Sequence, residues 1–211
     1  MDRRELLKMI AVLTGGVVIG GEVFLTGCKT AGKADAGFTA ANITLLDEIG
    51  ETIIPATSTP GAKAAQIGEF MKTIVTDCYT AKQQTAFTNG IATLEEACKK
   101  VNSKNFMDCT PQQRHDFLVS LEKEAKDFNT KSDVEDKPKR EIHEQTNAKL
   151  AWKDKTDFEG TSSHYYTMIK QLTLWGYFTS KPGATQQLRN LPVPGKYDGA
   201  YPYVKGDKAF S

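Results

Sequence analysis

Between His164 and Phe178 the apolar side chains of Tyr165, Met168, Ile169, Leu172, Leu174, Trp175 and Phe178 cover most of the circumference of a helix. A helix with so little polar surface is buried on several sides, either within its own domain or under a second protein. Any fold for this chain has to supply walls for it. The preceding segments have the matching period. Ile43, Leu45, Leu46, Ile49, Ile53 and Ile54 recur at three- and four-residue spacings, with Thr39 as an N-cap and Pro55 as a stop. A second helix is expected over 64–79, with Ile67, Phe70, Met71, Ile74, Val75 and Cys78 on one side. A third is expected over 81–101, carrying Phe87, Ile91, Leu94, Ala97, Cys98 and Val101. Thr110 and Pro111 then supply a cap and a first-turn proline for a fourth helix, which runs through Phe117, Leu118, Leu121 and Ala125 to about residue 128. No alternating strand pattern of useful length interrupts the series. The expected fold is all-α, a compact domain of about five to six helices.

Residues 129–159 break the apolar rhythm. Seven bases and eight acids fall there, and the only aromatic groups are Trp152 and Phe158. The reading that follows is a solvated excursion or an exposed helix laced with ion pairs, with a grip on a partner as the alternative. Beyond Ser180 the chain holds four of its eight prolines and three of its seven tyrosines. Such a segment is irregular and extended, but too aromatic for a disordered tail, so it stays ordered only by lying on something. Thr57, Ser58, Thr59, Pro60 and Gly61 form a turn-rich loop whose glycine is expected to serve the turn geometry.

With 27 basic and 26 acidic residues the formal charge is +1, which argues against a nucleic-acid surface. No run of eighteen uninterrupted apolar residues is present, which excludes a multi-span membrane protein. The first residues read instead as an address. Arg3 and Arg4, followed by Leu6, Leu7 and Lys8, resemble a twin-arginine export signal. An apolar stretch over 9–25 follows, and Leu25, Thr26, Gly27 and Cys28 resemble a bacterial lipobox, whose cysteine sulfur accepts a diacylglycerol. Glu22 within the apolar stretch and Asp2 before the arginines depart from the usual pattern. A membrane-anchoring N-terminal helix with incidental arginines is the competing reading. Removing residues 1–27 deletes three bases and three acids, so the mature chain keeps its balance and its anchor is lipid rather than charge. The expected organisation is a signal peptide over 1–27, a tether over 28–38, a helical domain over 39–180 with the charged excursion at 129–159, and an extended tail over 181–211. The expected location is the periplasmic side of a membrane.

The inventory of reactive chemistry is short. There is no glycine-rich phosphate loop behind a strand, no C-x-x-C pair, and no nucleophile motif. His115, His143 and His164 lack metal-ligand spacing and read as surface or helix-end residues. With Cys28 assigned to lipid, Cys78, Cys98 and Cys109 remain. If the second and third helices form a hairpin, Cys98 lies ~24 Å from Cys78 at ~1.5 Å per residue, too far to bridge. Cys109 precedes the next antiparallel helix and can approach Cys98. A Cys98–Cys109 disulfide and a pair of buried free thiols both fit. No catalytic, cofactor-binding or metal residue is expected on this chain. A folded-protein export signal on a chain without a cofactor suggests that it carries a cofactor-loaded partner with it.

Two separated segments carry a family resemblance. The first is Ile53-Ile54-Pro55-x-Thr57-x-Thr59-Pro60-Gly61-Ala62. The second is Gly176-Tyr177-Phe178-Thr179-Ser180, continued by Gly183-Ala184-Thr185-Gln186, Pro192-Val193-Pro194-Gly195 and Gly199-Ala200-Tyr201-Pro202-Tyr203. In this order, behind a twin-arginine signal, they resemble the gluconate 2-dehydrogenase subunit 3 family. The resemblance implies a noncatalytic, chaperone-like small subunit of a membrane-associated sugar or polyol dehydrogenase. The partner it implies is a large FAD flavoprotein of the glucose-methanol-choline class, often with a cytochrome c subunit whose haem takes the electrons. Some relatives work with flavoproteins that oxidise glycosides at the ring 3-hydroxyl, so gluconate need not be the substrate. The lipobox suggests that this version also anchors the complex. Tyr177, Phe178, Leu188, Leu191, Tyr197, Tyr201 and Tyr203 are the expected anchors on the partner, since aromatic groups bury large area with few rotors to freeze. The alternative is that they close the chain's own core. A free-standing helical lipoprotein that binds an envelope partner or ligand is the competing function.

Overall fold

Thr39 opens the first helix as its sequence position predicts, its hydroxyl accepting the Asn42 amide at 3.2 Å. The computed structural model describes residues 37–193, 195 and 198–210, and helix α1 is Ala40–Ile53. The expectations for Arg3, Arg4 and Cys28 lie outside the described residues, as does Tyr197. Phe38, placed at the end of the tether by sequence, is buried instead, its ring centroid 5.9 Å from that of Phe87. The core therefore begins before the first helix.

The second helix starts later than its apolar period suggests. Ala62–Ala65 forms a 3₁₀ turn, Gln66 adopts a left-handed φ of 53°, and α2 is Ile67–Cys78. The cause lies on α1. The Asp47 carboxylate accepts the Gly68 amide at 2.8 Å, so a side chain from a neighbouring helix caps α2 and fixes where it can begin.

Helices α3, Ala81–Asn102, and α4, Pro111–Asn147, open with the same device. Thr80 and Thr110 each accept the amide of the glutamine three residues on at 3.3 Å, and that glutamine accepts the threonine amide at 3.0 Å. At the other end of the α2–α3 turn, the Gln84 amide group donates to the carbonyls of Val75, Thr76 and Tyr79, satisfying the last turn of α2.

Helix α4 corrects the sequence reading. It does not stop near 128 but continues for 37 residues, about 55 Å, through the charged stretch and through Pro138. The apolar period fades after Ala125 because this part of the helix has no core to face, not because the helix ends. Of the two readings of 129–159, its first half is the exposed helix with ion pairs: Lys139 with Asp136 and Arg140 with Asp133, each at 2.9 Å. Pro138 removes one backbone donor, yet helical bonding continues on both sides.

Asp136 differs from the other charges on this helix. It is buried, and it accepts the Thr161 amide and the Lys139 ammonium. The Thr161 amide, then Lys139, then the Thr161 hydroxyl hold its carboxyl well below the usual carboxylate range. The chain returning from α4 is tied down along its length. Asn147 donates to the Thr156 carbonyl, the Arg140 guanidinium lies 5.9 Å from the Phe158 ring centre, and the Lys82 ammonium donates to the Gly160 carbonyl at 2.6 Å.

Helix α5 is Tyr165–Thr179. The buried His164 caps it, its Nδ1 accepting the Tyr166 amide at 3.3 Å. Burial lowers the imidazole pKa and so favours the neutral form that this cap requires. Helix α5 packs against all four other helices. Ile169, Leu172 and Tyr177 meet Leu46 and Ile49 of α1, Ile67 and Met71 of α2, and Phe87 and Leu94 of α3 in one core. Among the described residues there is no strand, so the fold is all-α as expected. The described part of the tail is irregular after a short π-helical turn, Gly183–Gln187.

The Asp136 clamp gives a direct test. A carboxyl whose folded pKa is depressed contributes at neutrality, and the contribution is lost only as pH falls through that depressed value. Hydrogen exchange followed by mass spectrometry should show Asp136→Asn losing protection around Thr161 at pH 7. The unsubstituted chain should keep that protection at pH 4, where an ordinary aspartate of pKa about 3.9 is half protonated.

Candidate partner interface

The two family-like segments, more than a hundred residues apart in sequence, meet at one end of α5. The loop after α1 is held from below by Glu51, whose carboxylate accepts the amides of Ala56 at 2.8 Å and Lys63 at 2.9 Å. The Thr57 amide donates to the Thr59 carbonyl at 2.9 Å, and the Ala62 amide to the Ile54 carbonyl at 3.0 Å. Gly61 serves a different need from the one expected. Its φ of −81° is open to any residue, but a Cβ there would stand 2.3 Å from a Glu51 carboxylate oxygen. The glycine makes room for the carboxylate that shapes the loop.

The second segment closes on this loop from the side. The Tyr177 hydroxyl donates to the Pro60 carbonyl at 2.6 Å, and the Thr59 hydroxyl pairs with the Gln187 side chain. The Ser180 hydroxyl donates to the Tyr177 carbonyl at 2.6 Å and accepts the Gly183 amide at 3.2 Å, folding the chain back over the helix end. Gly183 permits that fold, because a Cβ would lie 1.9 Å from the Tyr177 carbonyl oxygen.

The expected anchors separate under this geometry. Tyr177 is a correction: it is 1% exposed and belongs to the chain's own core, its one polar atom spent on Pro60. Leu188 is half-buried beside the π-helical turn, while Phe178, Leu191, Tyr201 and Tyr203 are exposed. In the tail, the Arg189 guanidinium stands 5.5 Å from the Tyr201 ring centre and 4.9 Å from that of Phe210. The Arg189 amide donates to the Ala209 carbonyl at 2.7 Å. The tail thus closes on itself rather than lying extended, with Tyr203 75% exposed on its outside.

Sequence reasoning singled out Phe178 on α5 but not the two exposed apolar residues that accompany it. Leu174 and Trp175 are neighbours and Phe178 follows one helical turn on, all on the outer face of α5, at 39%, 52% and 38% exposure. Phe70 of α2 meets Trp175 edge-on, with centroids 5.4 Å apart, and extends the stripe sideways. An all-round apolar helix gives no hint of which side is left open; that depends on where its four neighbours sit. The Phe178 end of this stripe adjoins the Tyr177–Pro60 contact.

Other residues flagged by sequence are dispersed. His115 is exposed on α4, His143 stacks on Phe158, and His164 caps α5. Among the described residues no group of three or more metal-ligating side chains converges, and no described helix is long and apolar enough to cross a membrane. Cys78 is exposed at the end of α2, whereas Cys98 and Cys109 are buried with their sulfurs 3.7 Å apart.

A family model described as gluconate 2-dehydrogenase subunit 3 matches residues 40–195, from the first residue of α1 past the π-helical turn; it takes in the first segment and the second as far as Gly195, and ends before residues 199–203. No curated protein and no solved structure matches the chain. The chain belongs to the gluconate 2-dehydrogenase subunit 3 family.

Proposed function

We propose that this chain is the noncatalytic small subunit of a periplasmic sugar or glycoside dehydrogenase complex. It would hold, export and anchor a large FAD flavoprotein of the glucose-methanol-choline class, which carries the substrate pocket; a third subunit with haem c would take the electrons. The observation that carries the reading is the open stripe of Leu174, Trp175 and Phe178 on a helix otherwise walled in on all sides. Covering the exposed half of a tryptophan, roughly 100 Å², is worth about 2.5 kcal/mol at ~25 cal/mol/Å². A rigid aromatic group on a helix gains this with little further loss of freedom, which is the character of a binding hot spot. Phe70 extends the same surface and Tyr177 supports it from beneath; Leu191, Tyr201 and Tyr203 add exposed apolar groups on the tail.

The remaining parts of the proposal rest on the first residues. Arg3 and Arg4 direct export of the folded assembly, and Cys28 takes the lipid that holds it on the periplasmic side.

Two measurements test these parts separately. Trp175→Ala with Phe178→Ala, co-expressed with a large FAD flavoprotein of the proposed class from the same source, should cut co-purification at least roughly tenfold while leaving the helical circular-dichroism signal in place. Undiminished co-purification would overturn the interface. Arg3→Lys with Arg4→Lys should leave dehydrogenase activity in the cytoplasmic fraction; periplasmic activity at the unsubstituted level would show that the partner travels by its own route.

A further inference from the structure

We infer that Cys98 and Cys109 form an intramolecular disulfide that staples the turn between α3 and α4. The argument starts from placement. Cys98 sits in the closing turns of α3 and faces the core, with none of its surface exposed. Cys109 follows the 3₁₀ turn Phe106–Asp108 and stands one residue before the Thr110 cap of α4. Their sulfurs are 3.7 Å apart, the separation of two thiols in contact. A bond of about 2.05 Å requires the sulfurs to close from 3.7 Å by about 1.65 Å. Cys109 lies in a connection rather than in a helix, where a side-chain rotation can make that approach.

The surroundings hold the pair without competing strongly for it. The Asn102 amide group reaches Cys98 at 3.7 Å, and the Cys109 thiol donates to the Asn105 carbonyl at 3.3 Å, a weak bond that oxidation gives up. Burial pushes the Cys98 thiol up to about 11, so in the folded chain it is a poor first nucleophile. Both sulfurs are buried once the turn has packed, so the exchange takes place while it is still open. The Cys109 thiolate attacks the sulfur–sulfur bond of a protein or small-molecule disulfide, making a mixed disulfide and expelling one thiol. The Cys98 sulfur then gives up its proton, attacks the Cys109 sulfur and expels the second thiol. Two thiols on this chain lose two electrons and two protons, and one external disulfide is reduced to two thiols. Exported chains meet such oxidants, but the geometry requires only that one be present.

The consequence is mechanical. The turn that the bond closes also seats Phe106, fully buried against Phe117, and carries the Phe106 and Met107 carbonyls that accept from Arg114. Arg114 in turn pairs with Glu48 on α1. Locking residues 98–109 thus fixes the connection through which α4 is registered against α1. Cys78, exposed beyond the other end of α3, takes no part.

The test uses the unsubstituted chain, so no variant has to fold. It is unfolded in urea, refolded in a glutathione redox buffer, denatured again, alkylated with iodoacetamide without reductant, and digested for mass spectrometry. The expected result is a linked species containing Cys98 and Cys109, lighter by two hydrogens, with Cys78 alkylated. Alkylation of both buried cysteines, glutathione left on either, or a link to Cys78 would overturn the inference. In parallel, reducing the refolded chain should lower its melting midpoint by roughly 5–10 °C. An unchanged midpoint after verified reduction would overturn the stapling role.

Discussion

The burial of α5 is the constraint from which the rest of this molecule follows. Apart from Lys170 and Gln171 its long side chains are apolar, so α1, α2, α3 and α4 are arranged as walls around most of it. Tyr177 illustrates how tightly this is drawn. Its ring fills the core, and its hydroxyl has one outlet, the Pro60 carbonyl. A buried hydroxyl left without a partner costs about 1–3 kcal/mol, so the loop after α1 is committed to the position that supplies that carbonyl. The loop in turn needs Glu51 to pin its amides, and Gly61 to leave the Glu51 carboxylate room. A packing demand in one helix is thereby passed to a connection more than a hundred residues away.

The helical class was legible because each core-facing segment repeats its apolar residues at three and four. Threonine caps at 39 and 110 mark real helix starts, since their hydroxyls accept amides a turn later. Legibility failed where local pattern and tertiary environment part. Helix α4 outlives its apolar period because ion pairs and intrinsic propensity carry it where no core faces it. Helix α2 starts late because Asp47, twenty-one residues upstream, decides where its amides are capped. Neither fact is visible in the segment concerned.

The residues expected to anchor a partner show the same division. Sequence reasoning favoured Tyr177 and the tail because aromatics accumulate there, and it could not say which of them face inward. Tyr177 turns in and Trp175 turns out, two positions apart on one helix. Two positions on a helix are about 200° apart, so one must turn in where the other turns out, and the packing around Gly176, whose Cβ position would lie 2.5 Å from the Phe70 ring, sits between them. Phe70 then covers only one edge of Trp175 and leaves the rest open.

The open stripe on α5 and the closed tail also differ in what docking would demand of them. Leu174, Trp175 and Phe178 are carried by a helix fixed on four sides, so the backbone beneath them is already ordered. The tail is held by Arg189, through two ring contacts, a bond from its guanidinium to the Tyr201 hydroxyl at 2.6 Å and a backbone bond to Ala209, by the edge-on Tyr201–Phe210 pair, and by the Lys208 ammonium on the Gln186 carbonyl. Exposed cation–π contacts are worth about 0.5–1 kcal/mol each, against about 1–2 kcal/mol for fixing the backbone of each residue. On docking, the tail would have more freedom to lose than the helix. Of two surfaces similar in aromatic content, the one that is already rigid contributes more net affinity per unit area. A surface that must still be ordered would contribute more to specificity than to affinity, because the ordering cost is recovered only against a complementary partner.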